Sequence, residues 1–249
     1  MKQLLYILSF LFSVGSLAQN EAAFQQGNAL YNAGKYGEAI DKYKTILDTK
    51  NHSAALYFNL GNAHYKLNNI APSIYYYEKA LKLAPNDEEI KNNLAFAQNM
   101  TIDAINVVPE AGLLKIVNNV TNRMTFDGWA KVSIGFVFCF VVLFLFYYFA
   151  YSSLRKRIAF LGSLAALIFI CITLLFAFHK FNLDKRDKPA IVFAKESLVK
   201  NAPNNRSEES FRLHEGTKVQ VLDTVNNWKK IKLQDGKTGW ISSEDIKAL

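Results

Sequence analysis

The chain has 249 residues, is 51% hydrophobic and carries 29 basic against 21 acidic side chains, so it can bury sizeable cores while holding a net charge of +8. The excess is not gathered on a soluble block: residues 19–100 hold eight Lys or Arg against eight Asp or Glu, and the surplus lies around two apolar stretches and in residues 184–249. A concentrated nucleic-acid-binding face is thereby excluded, and with Cys139 and Cys171 both inside apolar stretches so is a disulfide framework or Cys-based zinc site in the soluble segments.

The chain opens with a basic Lys2, a mostly apolar run from Leu4 to Val14 and the small-residue ending Ser16, Leu17, Ala18. This is the layout of a signal peptide over residues 1–18, too short to span a bilayer, which takes about 20 apolar residues.

Residues 19–100 repeat on themselves. Phe24, Gly27, Asn28, Ala29 and Tyr31 recur as Phe58, Gly61, Asn62, Ala63 and Tyr65, an offset of 34 residues that also brings Tyr43 over Tyr77 and Leu47 over Leu81. Such a period marks a stack of helix pairs, in which Gly and Ala let helices approach and Tyr and Leu fill the spaces between them. Pro85 ends a helix, and Asp87, Glu88 and Glu89 favour the start of a capping helix at about 87–100. The block resembles the tetratricopeptide-repeat (TPR) family through Tyr57, Leu60, Gly61, Ser73, Tyr77, Ala80 and Pro85; His64 stands where that family usually has tyrosine, and Asn51 where the first unit usually ends in proline.

The resemblance implies a concave groove lined by Phe24, Asn28, Tyr31, Phe58, Asn62, Tyr65, Asn92 and Phe96. Some TPR domains clamp a terminal carboxylate with asparagine and basic residues at these places. Here Phe24, Phe58 and Asn92 replace the cations, so a carboxylate would lose its charge-assisted bonds. The expectation is a groove for an extended or helical peptide with aromatic contacts. The alternative is that the phenylalanines only pack between repeats and the asparagines only bond backbone.

Residues 101–128 form a connector, irregular up to Pro109. Leu113, Ile116, Val117, Val120 and Met124 then recur with helical spacing, which predicts an amphipathic helix at the outer membrane surface or, alternatively, packed under the repeats. Residues 129–151 and 158–178 are each long enough to be transmembrane helices. Trp129, Tyr147, Tyr148 and Tyr151 lie near the ends of the first, where aromatic rings prefer the interface, and Arg155, Lys156 and Arg157 make loop 152–157 cytoplasmic. Signal peptide and basic loop agree on one topology: two passes, with the N- and C-terminal domains extracytoplasmic. Cys139 and Cys171 fall at similar depth; a redox relay and plain helix packing are both open, and no CxxC favours the first.

A charged linker, 179–189, ends in Pro189. Residues 190–249 then read as short strands, with alternation in 219–222 and 228–233 and a hairpin turn at Asp235 and Gly236. The run His214, Gly216, Trp228, then Asp235, Gly236, Lys237, Gly239 and Trp240, resembles bacterial SH3-like domains, with Trp228 and Trp240 expected inside the small barrel. The fold class is thus multidomain: an all-α TPR solenoid, a two-helix transmembrane hairpin and an all-β SH3-like small barrel.

Taken in order, these parts resemble the BatE-type proteins of the Bacteroides aerotolerance system. That resemblance implies a bacterial inner-membrane scaffold with periplasmic domains, acting beside Bat proteins with von Willebrand A domains, with membrane lipid as a further partner. Peptidoglycan binding through the SH3-like domain is the alternative. Four dispersed histidines, with no phosphate loop, HExxH or nucleophile elbow, predict no enzyme, no metal and no cofactor.

Overall fold

The computed structural model describes residues 19–105 and 112–249; the expected signal peptide, 1–18, lies outside the described residues. The chain divides into two compact units. One joins the segment up to Val107 with Pro189–Leu249, and the other is Val108–Lys188.

In the first unit, helix α1 covers residues 19–32, followed by α2 (Tyr36–Asp48), α3 (Ala54–Lys66), α4 (Ile70–Leu83) and α5 (Glu88–Gln98). Local chemistry sets the ends. The Ser53 hydroxyl accepts from Leu56 N–H at the start of α3, and the Asp87 carboxylate accepts from Glu89 and Ile90 N–H at the start of α5, satisfying amides that a helix leaves orphaned. Close packing explains the repeat. A methyl group added at Gly61 would come within 2.6 Å of the Tyr77 ring, and one at Gly27 would drive into Tyr43 in the same way. Tyr43, Leu60, Ala63, Ile74, Tyr77 and Ala80 are buried in the resulting core.

Seven strands complete this unit: β1 (Pro189–Val192), β2 (Glu196–Lys200), β3 (Glu209–His214), β4 (Lys218–Val225), β5 (Trp228–Lys232), β6 (Thr238–Ser242) and β7 (Ile246–Ala248). They form one sheet of order β3-β2-β6-β5-β4-β1-β7, every pairing antiparallel. Its core is aliphatic: Ala190, Val192, Val199, Leu213, Val219, Ile231, Leu233, Ile241 and Ile246. Trp228 and Trp240 are not part of it. Strand residues alternate between faces, so burial of Ile231 and Ile241 turns Trp228, Lys230 and Trp240 to the opposite face, where both rings are partly exposed and Lys230 Nζ lies 6.0 Å from the Trp240 ring centre.

Helices and sheet share a core across more than a hundred residues of sequence. Ile191 is fully buried in the helical cluster, and Phe193 packs edge-on to Tyr75 with ring centres 5.7 Å apart. Gly216, at φ +89°, approaches Ile70, Ile74 and Thr101 so closely that a Cβ would meet them at 2.8–3.0 Å. Lys218 Nζ pairs with Glu78 at 2.7 Å. Asp103, in the stretch expected to be an irregular connector, accepts from His214 N–H at 2.7 Å and from the Thr217 hydroxyl at 2.6 Å, and lies 2.7 Å from His214 Nδ1. Burial works against the Asp103 carboxylate, but these donors outweigh it and hold its pKa below the usual value.

The second unit holds α6 (Leu113–Thr121), α7 (Phe126–Phe149) and α8 (Ser153–Arg186). The loop expected at 152–157 is mostly the first turn of α8, and most of the linker expected at 179–189 is its last turns. Helix α8 has no proline or glycine to break it after Gly162, and the ladder of backbone hydrogen bonds continues through the charged residues until Asp187. Helices α7 and α8 are both long and apolar enough to cross a membrane. They pack through small residues, with Ala159, Ser163, Ala166 and Thr173 buried at one-face spacing along α8. Ser163 and Thr173 satisfy their hydroxyls on carbonyls one turn back, at Phe160 and Phe169.

The Glu78–Lys218 pair gives a direct check on the joined unit. Glu78→Lys or Lys218→Glu alone should cost about 2 kcal/mol, less than a fully buried pair because Lys218 keeps 34% of its side chain exposed. The double exchange E78K/K218E should recover most of that loss in thermal melting.

Candidate partner-binding groove

One hydrogen-bonded device is built twice, at the 34-residue period. In the first copy Tyr43 donates its hydroxyl to Asn28 Oδ1 at 2.7 Å, and Asn59 Nδ2 donates to the same oxygen at 2.9 Å. In the second, Tyr77 donates to Asn62 Oδ1 at 2.6 Å and Asn93 Nδ2 donates at 3.0 Å. Each asparagine thus ties its own helix to the second helix of its repeat and to the first helix of the next. Burial pushes the Tyr43 and Tyr77 hydroxyls above the usual tyrosine range, so both stay protonated donors. The aromatic partners repeat as well: Phe24 leans on Tyr43 and Phe58 on Tyr77, each with ring centres 5.9 Å apart.

A hollow of about 300 Å³ opens beside the second copy, lined by Tyr31, Asn62, Tyr65, Lys66, Tyr77, Glu89, Asn93 and Phe96. Four of the eight residues expected from sequence meet here: Tyr31, Asn62, Tyr65 and Phe96. Phe24 and Phe58 are half-buried between helices, and Asn28 serves the first tyrosine clasp. Asn92 is exposed and does not line the hollow, because on α5 it is the adjacent Asn93 that turns toward Asn62.

The hollow adds Lys66, Tyr77, Glu89 and Asn93, which the sequence reading did not assign to the groove. Lys66 follows Asn62 by four residues, the spacing that stacks side chains on one helix face, so periodicity alone could have found it. Phe96 is 59% exposed, a large apolar ring left in solvent beside one cation and one anion that have no ion-pair partner among the described residues. Chemically, the hollow can grip apolar side chains between Tyr31, Tyr65 and Phe96 and meet a charge of either sign. Among the described residues no group of His, Cys, Asp and Glu is placed to hold a metal ion.

His64 lies close behind this face and is 8% exposed. Its ring stacks on Tyr76 with centres 5.5 Å apart, and its Nδ1 faces Asn69 Nδ2 at 3.3 Å. The Asn69 amide can only donate to that nitrogen, so the imidazole proton sits on Nε2, which is buried without a protein partner. Burial, helped by the nearby Lys44 charge, pushes the His64 pKa down to about 4.

Comparison with known families agrees with this division of parts. Residues 24–88 match the family described as Tetratricopeptide repeat, and residues 199–247 match the one described as Bacterial SH3 domain. The protein is a multidomain chain of helical repeats, two apolar helices and a bacterial SH3-type sheet, and both matched parts are binding modules rather than catalytic ones. No curated protein matches the sequence significantly. Among solved structures it is similar to an NlpC/P60 family protein from Bacillus cereus ATCC 10987, with 13% identity and a TM-score of 0.22 over 28% of this chain and 23% of that one.

His64 supplies a pH signature. The folded state keeps it neutral down to about 4, whereas an unfolded histidine protonates near 6.5. Stability should therefore fall as pH drops below about 6.5 and level off near 4, a loss of up to about 3 kcal/mol. His64→Phe keeps the stack on Tyr76 and removes the orphan nitrogen. The stability difference between wild type and H64F, measured by denaturant unfolding from pH 7.5 to 4, should grow in favour of the variant across that window.

Proposed function

We propose that this protein is a membrane-anchored scaffold whose helical repeats hold a peptide segment of a protein partner in the hollow between Tyr31, Tyr65 and Phe96. The observation that carries the reading is the exposed Phe96 ring, set among aromatic and amide groups beside Lys66 and Glu89, which have no ion-pair partner among the described residues. Asn62 Oδ1 is consumed by Tyr77 and Asn93, so among the described residues it is the Nδ2 group that can donate to a peptide carbonyl. Phe24, Asn28 and Phe58 act one layer down, fixing the helices that present the contact residues.

Helices α7 and α8 are the anchor. A folded unit that draws on chain from both flanks of the hairpin requires an even number of membrane crossings between them, and two apolar helices supply it. With Arg155, Lys156 and Arg157 at the turn, the positive-inside rule makes that turn cytoplasmic and both soluble parts extracytoplasmic. On the resemblance to BatE-type proteins, the membrane is the bacterial inner membrane and the partner a Bat-type protein with a von Willebrand A domain.

A second reading, wall binding, is favoured by the outward face of β5 and β6. Trp228, Lys230 and Trp240 sit together there outside the aliphatic core, and aromatic faces of this kind stack well on extended ligands.

Photoreactive residues at positions 31 and 65 of the full chain in cells test the first reading. A specific adduct is expected at both, lost when Phe96→Ala is added while the melting temperature stays within a few degrees. No adduct from a correctly inserted protein removes the groove from consideration. For the second reading, the full chain in detergent should be retained on purified peptidoglycan, and Trp228→Ala/Trp240→Ala should abolish that retention.

A further inference from the structure

Helix α6 is mounted on the hairpin by its polar edge. Asn118 Oδ1 lies 3.1 Å from His179 Nε2, Lys180 Nζ donates to Asn122 Oδ1 at 3.0 Å, and the Trp129 indole donates to the Thr121 carbonyl at 3.0 Å. Asn118 is 9% exposed and Thr121 fully buried. For an amphipathic helix this orientation is inverted: one that only joined a protein core would turn its apolar edge inward. Here Ile116 is 61% exposed and Val117 39%, and the turn after the helix adds Met124 at 38% and Phe126 at 39%.

The same bonds fix the depth of α6 along the hairpin. In α8, residues 158–179 separate Arg157 from Lys180 without a charged side chain. Those 22 residues span about 33 Å at 1.5 Å each, the thickness of a hydrocarbon core. From α7 through the turn into α8, residues 132–154 likewise separate Lys131 from Arg155 without a charged side chain. Lys131, His179 and Lys180 therefore mark the level where hydrocarbon ends, and α6 is bonded to residues at that level. Further along the hairpin, α7 is apolar and exposed at Ile134, Val137 and Phe138. Lys115 and Arg123, both exposed, flank it with the charge that suits lipid phosphate.

We infer that α6 is a lipid-binding foot. It lies in the headgroup layer with Ile116, Val117, Met124 and Phe126 against the upper acyl chains, and its clasp to His179, Lys180 and Trp129 sets the level at which the hairpin rides in the bilayer. The inference rests on the membrane-hairpin reading above. Burying half an apolar helix face in the interface offsets the exposure that the inverted mounting creates.

The test uses the full chain in phospholipid nanodiscs, with Cys139→Ala and Cys171→Ala so that single cysteines can carry a bimane label. At position 116 the label should lose most of its emission to lipids brominated near the glycerol end, while one at position 115, an exposed lysine about 100° round α6 on the side away from Val117, loses clearly less. A label at position 142, near the middle of the uncharged run 132–154, reports the hairpin independently and should be quenched by lipids brominated deep in the chain. Quenching at 142 with none at 116 overturns the lipid foot and leaves the anchor standing; an unquenched but blue-shifted label at 116 does the same and names a protein cover. No quenching at 142 overturns the anchor and the foot together.

Discussion

Ile191 is completely buried, and most of what buries it is helix from the other end of the sequence. Around it, Gly216 admits Ile70 and Ile74 at van der Waals limits, Lys218 pairs with Glu78, and Asp103 gathers three contacts from His214 and Thr217. The rest of the architecture depends on this joint. Helical repeats expose apolar surface at each end of the stack unless something caps it, and a seven-stranded sheet of about sixty residues has little core of its own. Each part relieves the other's deficit. The apolar hairpin is then an insertion between two halves of one folded unit, which ties the soluble fold to any membrane crossing made by α7 and α8.

The repeated tyrosine–asparagine clasp does for the groove what the joint does for the unit. Asn28 and Asn62 each use one carbonyl oxygen to bind two donors from two different helices, so the angle between successive helix pairs is held by short polar bonds inside an aromatic layer. Half-buried carbonyls that accept twice in this way favour one geometry over many. With the scaffold set, Phe96 stays in solvent while Tyr31 and Tyr65 stay half-buried along the hollow. Clasp positions and hollow-lining positions alternate along the same helices, which is why a family-level list of groove residues mixes the two.

The groove was half legible in the sequence. Tyr31, Asn62, Tyr65 and Phe96 arrive where helical periodicity puts them, while Asn92 misses by one position, because the bond from Asn93 to Asn62 settles which asparagine of α5 turns inward. Lys66 follows Asn62 by one turn of α3, but Glu89 comes from α5 and reaches the same hollow only when the helices are packed. Trp228 and Trp240 were expected in a barrel core on the argument that a small sheet needs large aromatics. The sheet borrows its extra core from the helices instead, and its tryptophans are left on the opposite face.

What the sequence determined by itself is everything that depends on local period and composition. The 34-residue repeat, the two apolar helices, the alternating strands and the Asp235–Gly236 turn are patterns of neighbouring residues, and each is written within a few turns of chain. Tertiary structure alone decided the contacts between distant segments: that Asp103 clamps His214, that Glu78 meets Lys218, that Ile191 belongs to the helical core, and that α6 shows its polar edge to α8. These are pairings across long separations, chosen by which surfaces bury most apolar area while leaving the fewest polar groups unpaired. No local pattern encodes that choice, because it is a property of two surfaces at once.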